Sequence, residues 1–243
     1  MQKEIHSFRS THLSKNIEIA VYGRYGFALL LFPTFSDDHL ENEKFELIES
    51  ISNGINKGKF KVFSVPGVNY ESWLDDKITP KEKSDRHYQY NNFIIEEVVP
   101  FIFGECGGPV PIIAAGASMG AYHAANTYFR RPDILYGVIA MSGTYNIEHY
   151  TRGYFDDNCY FNSPIHYLPN LTDSYWLSFL VNKKHCYILS GSGENEYPEN
   201  SNHLSDILNG KGIPHKLCIW GKEYGHNWKT WKAMLPNILD NNF

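Results

Sequence analysis

The stretch Pro111-Ile-Ile-Ala-Ala-Gly-Ala-Ser-Met-Gly120 decides how the rest of the chain is interpreted. Its apolar first half, Pro111–Ala115, predicts a buried strand, and the residues after Gly120 predict a helix that continues to about Tyr128. Glycine and serine also occur in plain turns. A G-x-S-x-G sequence between a strand and a helix, however, is typical of a nucleophile elbow, a strained turn that lifts the serine hydroxyl above the sheet. Ser118 is therefore the candidate nucleophile.

Further short apolar runs predict the other strands of a sheet. These runs are Phe27–Phe32, Phe60–Val65, Tyr136–Met141, Cys186–Leu189 and Leu217–Trp220. Polar–apolar alternation in the first 25 residues predicts a hairpin in front of them. Apolar residues recur at helical spacing between the runs, and the segments with this pattern are 45–55, 93–102 with a kink at Pro100, 204–208 and 228–239. Strands that alternate with amphipathic helices predict an α/β fold, with a mostly parallel central sheet and helices on both faces.

The composition excludes several classes of protein. The chain has 243 residues, 42% of them hydrophobic and 20% charged, which is typical of a globular protein and allows a single domain over residues 1–243. The net charge of −5 and the lack of a basic block disfavour nucleic acid as a partner. Because the first residues contain no apolar leader and no stretch approaches a membrane span, we expect no membrane association and a cytoplasmic protein.

The four cysteines and the histidines show no spacing typical of a metal site. Cys186 lies inside an apolar run, where cysteine usually acts as a small hydrophobic residue. We therefore expect no metal and no cofactor. The sequence leaves the oligomeric state open.

A serine nucleophile needs a general base, and His226 has the best position for it. It follows the last predicted strand and precedes the last helix, where an α/β-hydrolase places its catalytic histidine. His123 is close to Ser118 in sequence, but on the helix after the serine it is expected to pack or to cap. The base in turn needs a carboxylate. The loop after Cys186–Leu189 offers both Glu194 and Glu196, with Asp206 on the next helix less suitable.

An oxyanion hole requires two backbone N–H groups that point at the developing negative charge. The first is expected from Met119, which follows the nucleophile at the start of its helix. The second is expected from the loop after Phe27–Phe32. Pro33 has no N–H, so Thr34 and Phe35 are the candidates, and we prefer Phe35.

With these residues in this order, the chain resembles the putative-esterase family of α/β-hydrolases, which includes enterochelin-esterase-like proteins, S-formylglutathione hydrolases, feruloyl esterases and mycolyltransferases. The resemblance covers nearly the whole chain. Besides Gly116–Gly120, it rests on Phe32–Thr34, Glu71-Ser72-Trp73, Met141-Ser142-Gly143, Lys211–His215, Trp220-Gly221 and His226-Asn227-Trp228 with Trp231. Asn227 departs from the aspartate that is common at this position in small bacterial members.

The resemblance implies an α/β-hydrolase fold without a large cap domain. It also implies that Glu196 is the triad acid, because this residue matches the glutamate of the family's Gly-x-Gly-x-Trp-Glu loop, with Asn195 in place of the tryptophan. Trp73 and Trp228 would lie near the mouth of the active site. The segment Tyr145–Asp173 would form a wall of the substrate pocket.

These observations predict a serine carboxylic-ester hydrolase that acts on a small ester through Ser118, His226 and Glu196. Two alternatives remain at this point. One is an acyltransferase of the same fold, which shares the chemistry but passes the acyl group to another alcohol. The other is a non-catalytic binding protein that has kept the fold.

Overall fold

The computed structural model describes all 243 residues, and its centre is one eight-stranded sheet. The strands are β1 (Lys3–Arg9), β2 (Asn16–Tyr22), β3 (Phe27–Leu31), β4 (Phe60–Ser64), β5 (Ile112–Ala117), β6 (Gly137–Met141), β7 (His185–Ser190) and β8 (Lys216–Ile219). Their order across the sheet is β1-β2-β4-β3-β5-β6-β7-β8. The β1–β2 hairpin and the β2–β4 pair are antiparallel, and every other pair is parallel. The predicted mostly parallel sheet with an opening hairpin is confirmed.

Twelve α-helices surround the sheet. They are α1 (Glu41–Lys44), α2 (Leu47–Ser50), α3 (Ser52–Asn56), α4 (Pro80–Asn92), α5 (Val99–Glu105), α6 (Met119–Arg130), α7 (Glu148–Thr151), α8 (Asp157–Tyr160), α9 (Pro164–Asn170), α10 (Ser174–Val181), α11 (Pro198–Gly210) and α12 (Trp228–Asn242). A 3₁₀ turn at Asn69–Glu71 and a π-helical segment at Phe93–Val98 complete the set.

Alternate residues of each central strand enter two different hydrophobic cores, as the pleat of a strand requires. In β3, Ala28 and Leu30 belong to the core shared with α4, α5, α6 and α11. Leu29 and Leu31 belong to the core shared with α2, α3 and α12. Helices therefore cover both faces of the sheet, and this is why the strands are continuous apolar runs.

Two helical predictions differ from the structure in detail. The segment 45–55 is predicted to form one helix, but in the structure it contains α2 and most of α3. Glu46, with a left-handed backbone at φ of 63°, separates α2 from α1, and Ile51 separates α2 from α3. The kink expected at Pro100 is instead a change of helix type before it, since Phe93–Val98 is π-helical and α5 starts at Val99. Pro100 has no N–H to continue this ladder, and the i→i−5 pattern ends just before it, where the N–H of Val99 donates to the carbonyl oxygen of Ile94.

The carboxyl ends of β3, β5, β6, β7 and β8 meet at one edge of the sheet, where an open α/β sheet binds ligands. No large cap domain covers this edge: residues 142–184 between β6 and β7 contain the four short helices α7 to α10. None of the helices combines the length and the apolar character that crossing a bilayer requires.

Candidate active site

Ser118 lies in a strained turn between β5 and α6. Its backbone has φ of 55° and ψ of −121°, a conformation that costs free energy and is held only by tight packing. A Cβ on Gly116 would lie 2.4 Å from the backbone of Gly120, and a Cβ on Gly120 would lie 2.6 Å from the carbonyl oxygen of Pro33. Both glycines are therefore required by close backbone contacts, and the turn has the geometry of a nucleophile elbow.

His226 reaches the serine from the loop between β8 and α12. Its Nε2 lies 3.0 Å from the Oγ of Ser118. The backbone N–H of His226 donates to the carbonyl oxygen of Glu194 at 2.9 Å, which ties the histidine loop to the loop after β7. The two loops can approach this closely only because residue 191 is a glycine. A Cβ at Gly191 would lie 1.9 Å from the carbonyl oxygen of Tyr224 in the histidine loop.

The two candidate acids, Glu194 and Glu196, have different environments. The Oε2 of Glu196 lies 3.7 Å from Nδ1 of His226, an ion-pair distance, and the Glu196 side chain is only 1% exposed. Glu194 is exposed, and it contacts His226 through its backbone carbonyl rather than its carboxylate. The structure therefore brings the carboxylate of Glu196, and not that of Glu194, to the imidazole.

Two serines hold the Glu196 carboxylate. Ser142 donates from its Oγ to Oε1 at 2.5 Å, and Ser190 donates to Oε2 at 3.0 Å. Burial alone would raise the pKa of Glu196, but His226 and the two hydroxyls stabilise the ionised form and bring the pKa below its ordinary value. The carboxylate is thus ionised at neutral pH.

Sequence reasoning assigned no role to Ser142 or Trp231, although both stand in the motifs quoted for the resemblance. The Nε1–H of Trp231 donates to Oγ of Ser142 at 3.1 Å, and the ring of Trp231 meets that of His226 edge to face at 5.1 Å. Trp231 therefore contacts the histidine directly and the glutamate through Ser142. The position of Ser142 at the carboxyl end of β6, next to β5, was the signal that could have identified it.

The candidate oxyanion donors lie beside the nucleophile. Met119 is the first residue of α6, so its N–H has no acceptor within the helix. Phe35 lines the same cavity as Ser118, and its N–H lies 3.4 Å from both oxygens of the buried Glu41 carboxylate. The N–H of Thr34 donates to Glu41 at 2.6 Å and is therefore held more firmly. Of the two amides considered, that of Phe35 is the more weakly bound to Glu41.

A cavity of about 340 Å³ opens in front of Ser118 and His226. Its walls come from the loops after β3, β6 and β7 and from α7, and none of the lining residues is a lysine or an arginine. The lining residues are Phe35, Leu74, Ser118, Met119, Ser142, Gly143, Thr144, His149, Tyr150, Glu196, Tyr197, Asn200 and His226. A cavity of this volume is at the small end of the range for ligand sites.

The two tryptophans expected near the mouth do not line the cavity. Trp73 is fully buried and packs with Met119 beneath the site, so its neighbour Leu74 contributes to the wall instead. Trp228 stacks on Phe45 at 4.6 Å. The pocket wall expected from Tyr145–Asp173 is represented in the cavity lining by two residues of this segment, His149 and Tyr150.

A buried histidine and a cluster of three titratable residues lie outside the cavity lining. His123 is buried in α6, where its Nε2 pairs with Oδ1 of Asn69 at 2.8 Å, in agreement with the expected packing role. Glu4, His6 and Glu105 have ligand-type atoms within 4.8 Å of one another at the β1 edge of the sheet. Lys61 forms an ion pair with Glu105 at 3.1 Å and so already compensates part of this negative charge.

Comparisons with known proteins identify the family and the fold. A sequence model of the family described as "Putative esterase" matches residues 43–241. No curated protein sequence matches the chain. Similar solved structures include a ferulic acid esterase, with a TM-score of 0.73 and 18% identity over 98% of this chain and 95% of that one.

Two further structures show the same fold. An S-formylglutathione hydrolase from Agrobacterium tumefaciens has a TM-score of 0.72 and 14% identity over 98% of this chain and 93% of that one. The fluorophosphonate-binding serine hydrolase F of Staphylococcus aureus has a TM-score of 0.65 and 15% identity over 98% of this chain and 97% of that one. Since the family model spans most of the sequence, the chain belongs to the putative esterase family and is a carboxylic ester hydrolase with the α/β-hydrolase fold.

Proposed function

We propose that the chain hydrolyses small carboxylic esters through a triad of Ser118, His226 and Glu196, with an acyl-enzyme intermediate. The observation that carries the proposal is the distance of 3.0 Å between Oγ of Ser118 and Nε2 of His226 on a strained strand-to-helix turn. A serine hydroxyl is a weak nucleophile at neutral pH, and a base at this distance can remove its proton during attack.

In the first half of the reaction, Nε2 of His226 takes the proton from Ser118 while Oγ attacks the ester carbonyl carbon. The carbonyl oxygen becomes an oxyanion, which the N–H groups of Met119 and Phe35 stabilise. When the tetrahedral intermediate collapses, His226 returns the proton to the oxygen of the alcohol. The alcohol then leaves, and the acyl group stays on Ser118 as an ester.

In the second half, water takes the place of the alcohol. Nε2 of His226 removes a proton from the water, the hydroxide oxygen attacks the acyl carbon, and the acid is released as Ser118 regains its proton. Glu196 keeps the proton of the imidazole on Nδ1 and stabilises the imidazolium in both halves. Its lowered pKa supports this role, because only the ionised carboxylate can do so.

The test is labelling with a fluorophosphonate, followed by mass spectrometry of the peptides. We expect one adduct, on Ser118, and no adduct in the Ser118→Ala variant. A folded wild-type protein that does not react would overturn the proposal and favour a binding protein with this fold.

Product analysis separates hydrolysis from acyl transfer. The unlabelled wild-type enzyme is incubated with p-nitrophenyl acetate in the presence and absence of an added alcohol or sugar. We expect acetic acid as the main product in both cases. An acetylated alcohol as the main product would identify an acyltransferase instead.

A further inference from the structure

We propose that Tyr150 limits the size of the acyl group that the site accepts, because its side chain closes the cavity beside Ser118 together with that of Met119. The inference rests on the proposed function and adds a residue that determines specificity. The expected substrates are neutral esters with short acyl chains.

The orientation of the substrate follows from the proton transfer. The leaving alcohol must lie near Nε2 of His226, since this atom returns the proton to it. The acyl group therefore extends away from His226, and we place it against Met119, Leu74 and Tyr150, which line the same cavity. Met119 directly follows the nucleophile and lines the cavity with it.

Tyr150 and Met119 hold each other in place. The hydroxyl of Tyr150 donates to Sδ of Met119 at 3.2 Å. Met119 is 5% exposed and packs in a buried cluster with Trp73, Tyr122 and Cys159, against which Tyr150 also packs. The floor below the pair is therefore filled, and a long acyl chain finds no channel there.

A buried lysine holds the backbone of the residues that form this part of the cavity wall. Nζ of Lys83 donates to the carbonyl oxygens of Trp73 at 3.0 Å and of Tyr150 at 3.2 Å. Lys83 is 3% exposed, and its nearest carboxylate, that of Asp76, lies 3.8 Å away. Burying an ammonium group is costly unless it is hydrogen-bonded. Lys83 thus connects the backbone at Trp73, next to Leu74, with α7. It positions the two parts of the cavity wall that Leu74 and Tyr150 form.

The test compares kcat/KM for p-nitrophenyl acetate, butyrate and octanoate. For the wild type we expect octanoate to be at least tenfold poorer than acetate. In Tyr150→Ala the octanoate-to-acetate ratio rises about tenfold or more, because removal of the ring makes room for several methylenes, each worth roughly fourfold when buried. Tyr150→Phe keeps the ring but loses the bond to Met119, so its ratio rises less.

Tyr154→Ala is the matched control. Tyr154 packs against the same buried cluster but does not line the cavity, and its hydroxyl donates to Asp156 at 3.0 Å. We expect this variant to keep the wild-type ratio. Lys83→Met tests the positioning role: the octanoate-to-acetate ratio should rise there as well, whereas a purely structural lysine would lower both rates equally.

The outcomes distinguish this inference from the proposed function. If no ester is hydrolysed and Ser118 does not react with a fluorophosphonate, the proposed function fails. If esters are hydrolysed but the wild type prefers octanoate, or if both Tyr150 variants keep the wild-type ratio, only the acyl-size inference is overturned.

Discussion

At the scale of single residues, the site depends on a carboxylate that is buried and yet ionised. Glu196 is 1% exposed in its side chain, and the hydroxyls of Ser142 and Ser190 compensate for the lost water. The Nε1–H of Trp231 donates in turn to Oγ of Ser142. The arrangement stabilises the charged form without a lysine or arginine in the cavity lining, so the imidazole of His226 is the cation that the charge can stabilise.

Replacement of this carboxylate is expected to be costly for turnover. In Glu196→Gln, kcat on p-nitrophenyl acetate should fall about a thousandfold or more, because a neutral amide neither fixes the imidazole tautomer nor stabilises the imidazolium. Glu194→Gln is the matched control in the same loop, and it should stay within about threefold of the wild type, since only the backbone of Glu194 contacts His226. A large loss in Glu194→Gln alone would make Glu194 the acid.

At the scale of elements, two loops must approach each other at backbone distance. The loop after β7 carries Glu196, the loop after β8 carries His226, and Gly191 and Gly193 lie where they meet. The N–H of Gly193 donates to the carbonyl oxygen of Tyr224 at 3.0 Å. A side chain at Gly191 would push the acid and the base apart.

Gly191→Ala should therefore lower kcat about a hundredfold, as expected for a displacement of about 1 Å in a catalytic group. It should also lower the melting temperature, because a Cβ there would lie 1.9 Å from the carbonyl oxygen of Tyr224. Gly210→Ala is the control: it ends α11, and a Cβ there meets nothing within 4 Å. This control should keep full activity and gain up to about 1 kcal/mol in free energy of unfolding. Normal activity in Gly191→Ala would mean that the loop contact is not needed.

At the scale of the whole molecule, two histidines buried in the core make the free energy of unfolding sensitive to acid. Burial lowers the pKa of His123 to about 3, and burial together with the neighbouring His123 and Arg130 lowers that of His87 well below its usual range. In the unfolded chain both titrate near 6.5. Below that pH the unfolded state binds more protons than the folded state, so the free energy of unfolding falls as the pH falls.

Below about pH 6.5, each buried histidine makes the free energy of unfolding fall by up to about 1.4 kcal/mol for each pH unit. Urea unfolding of His123→Gln between pH 8 and pH 4.5 should show a smaller slope than the wild type. Glutamine offers a donor to Asn69, as His123 does. His203→Gln, at an exposed position in α11, should keep the wild-type slope. Equal slopes in all three proteins would contradict this account.

The fold and the turn at Ser118 could be predicted from the sequence because both depend on local patterns, whereas His226 was identified by its place between the last strand and the last helix. Continuous apolar runs identify strands buried on both faces, and the glycines around Ser118 identify the elbow. The choice between Glu194 and Glu196 needed the family resemblance, since the two share one loop. The contacts of Ser142, Trp231 and Glu41 depend on chain segments far apart in sequence, which no local pattern reveals. The break at Glu46 depends on a backbone conformation that glutamate rarely adopts.

The separation of 108 residues between Ser118 and His226 has a consequence for how the protein matures. The two meet only when β8 lies beside β7, in a sheet where β3 pairs with β4 and with β5, which follows it by about 80 residues. Such non-local pairing is slow compared with helix formation. A chain in which β8 has not yet docked carries the serine without its base. Reactivity of the serine is thus acquired only when folding is complete, and an incompletely folded chain cannot attack the esters around it.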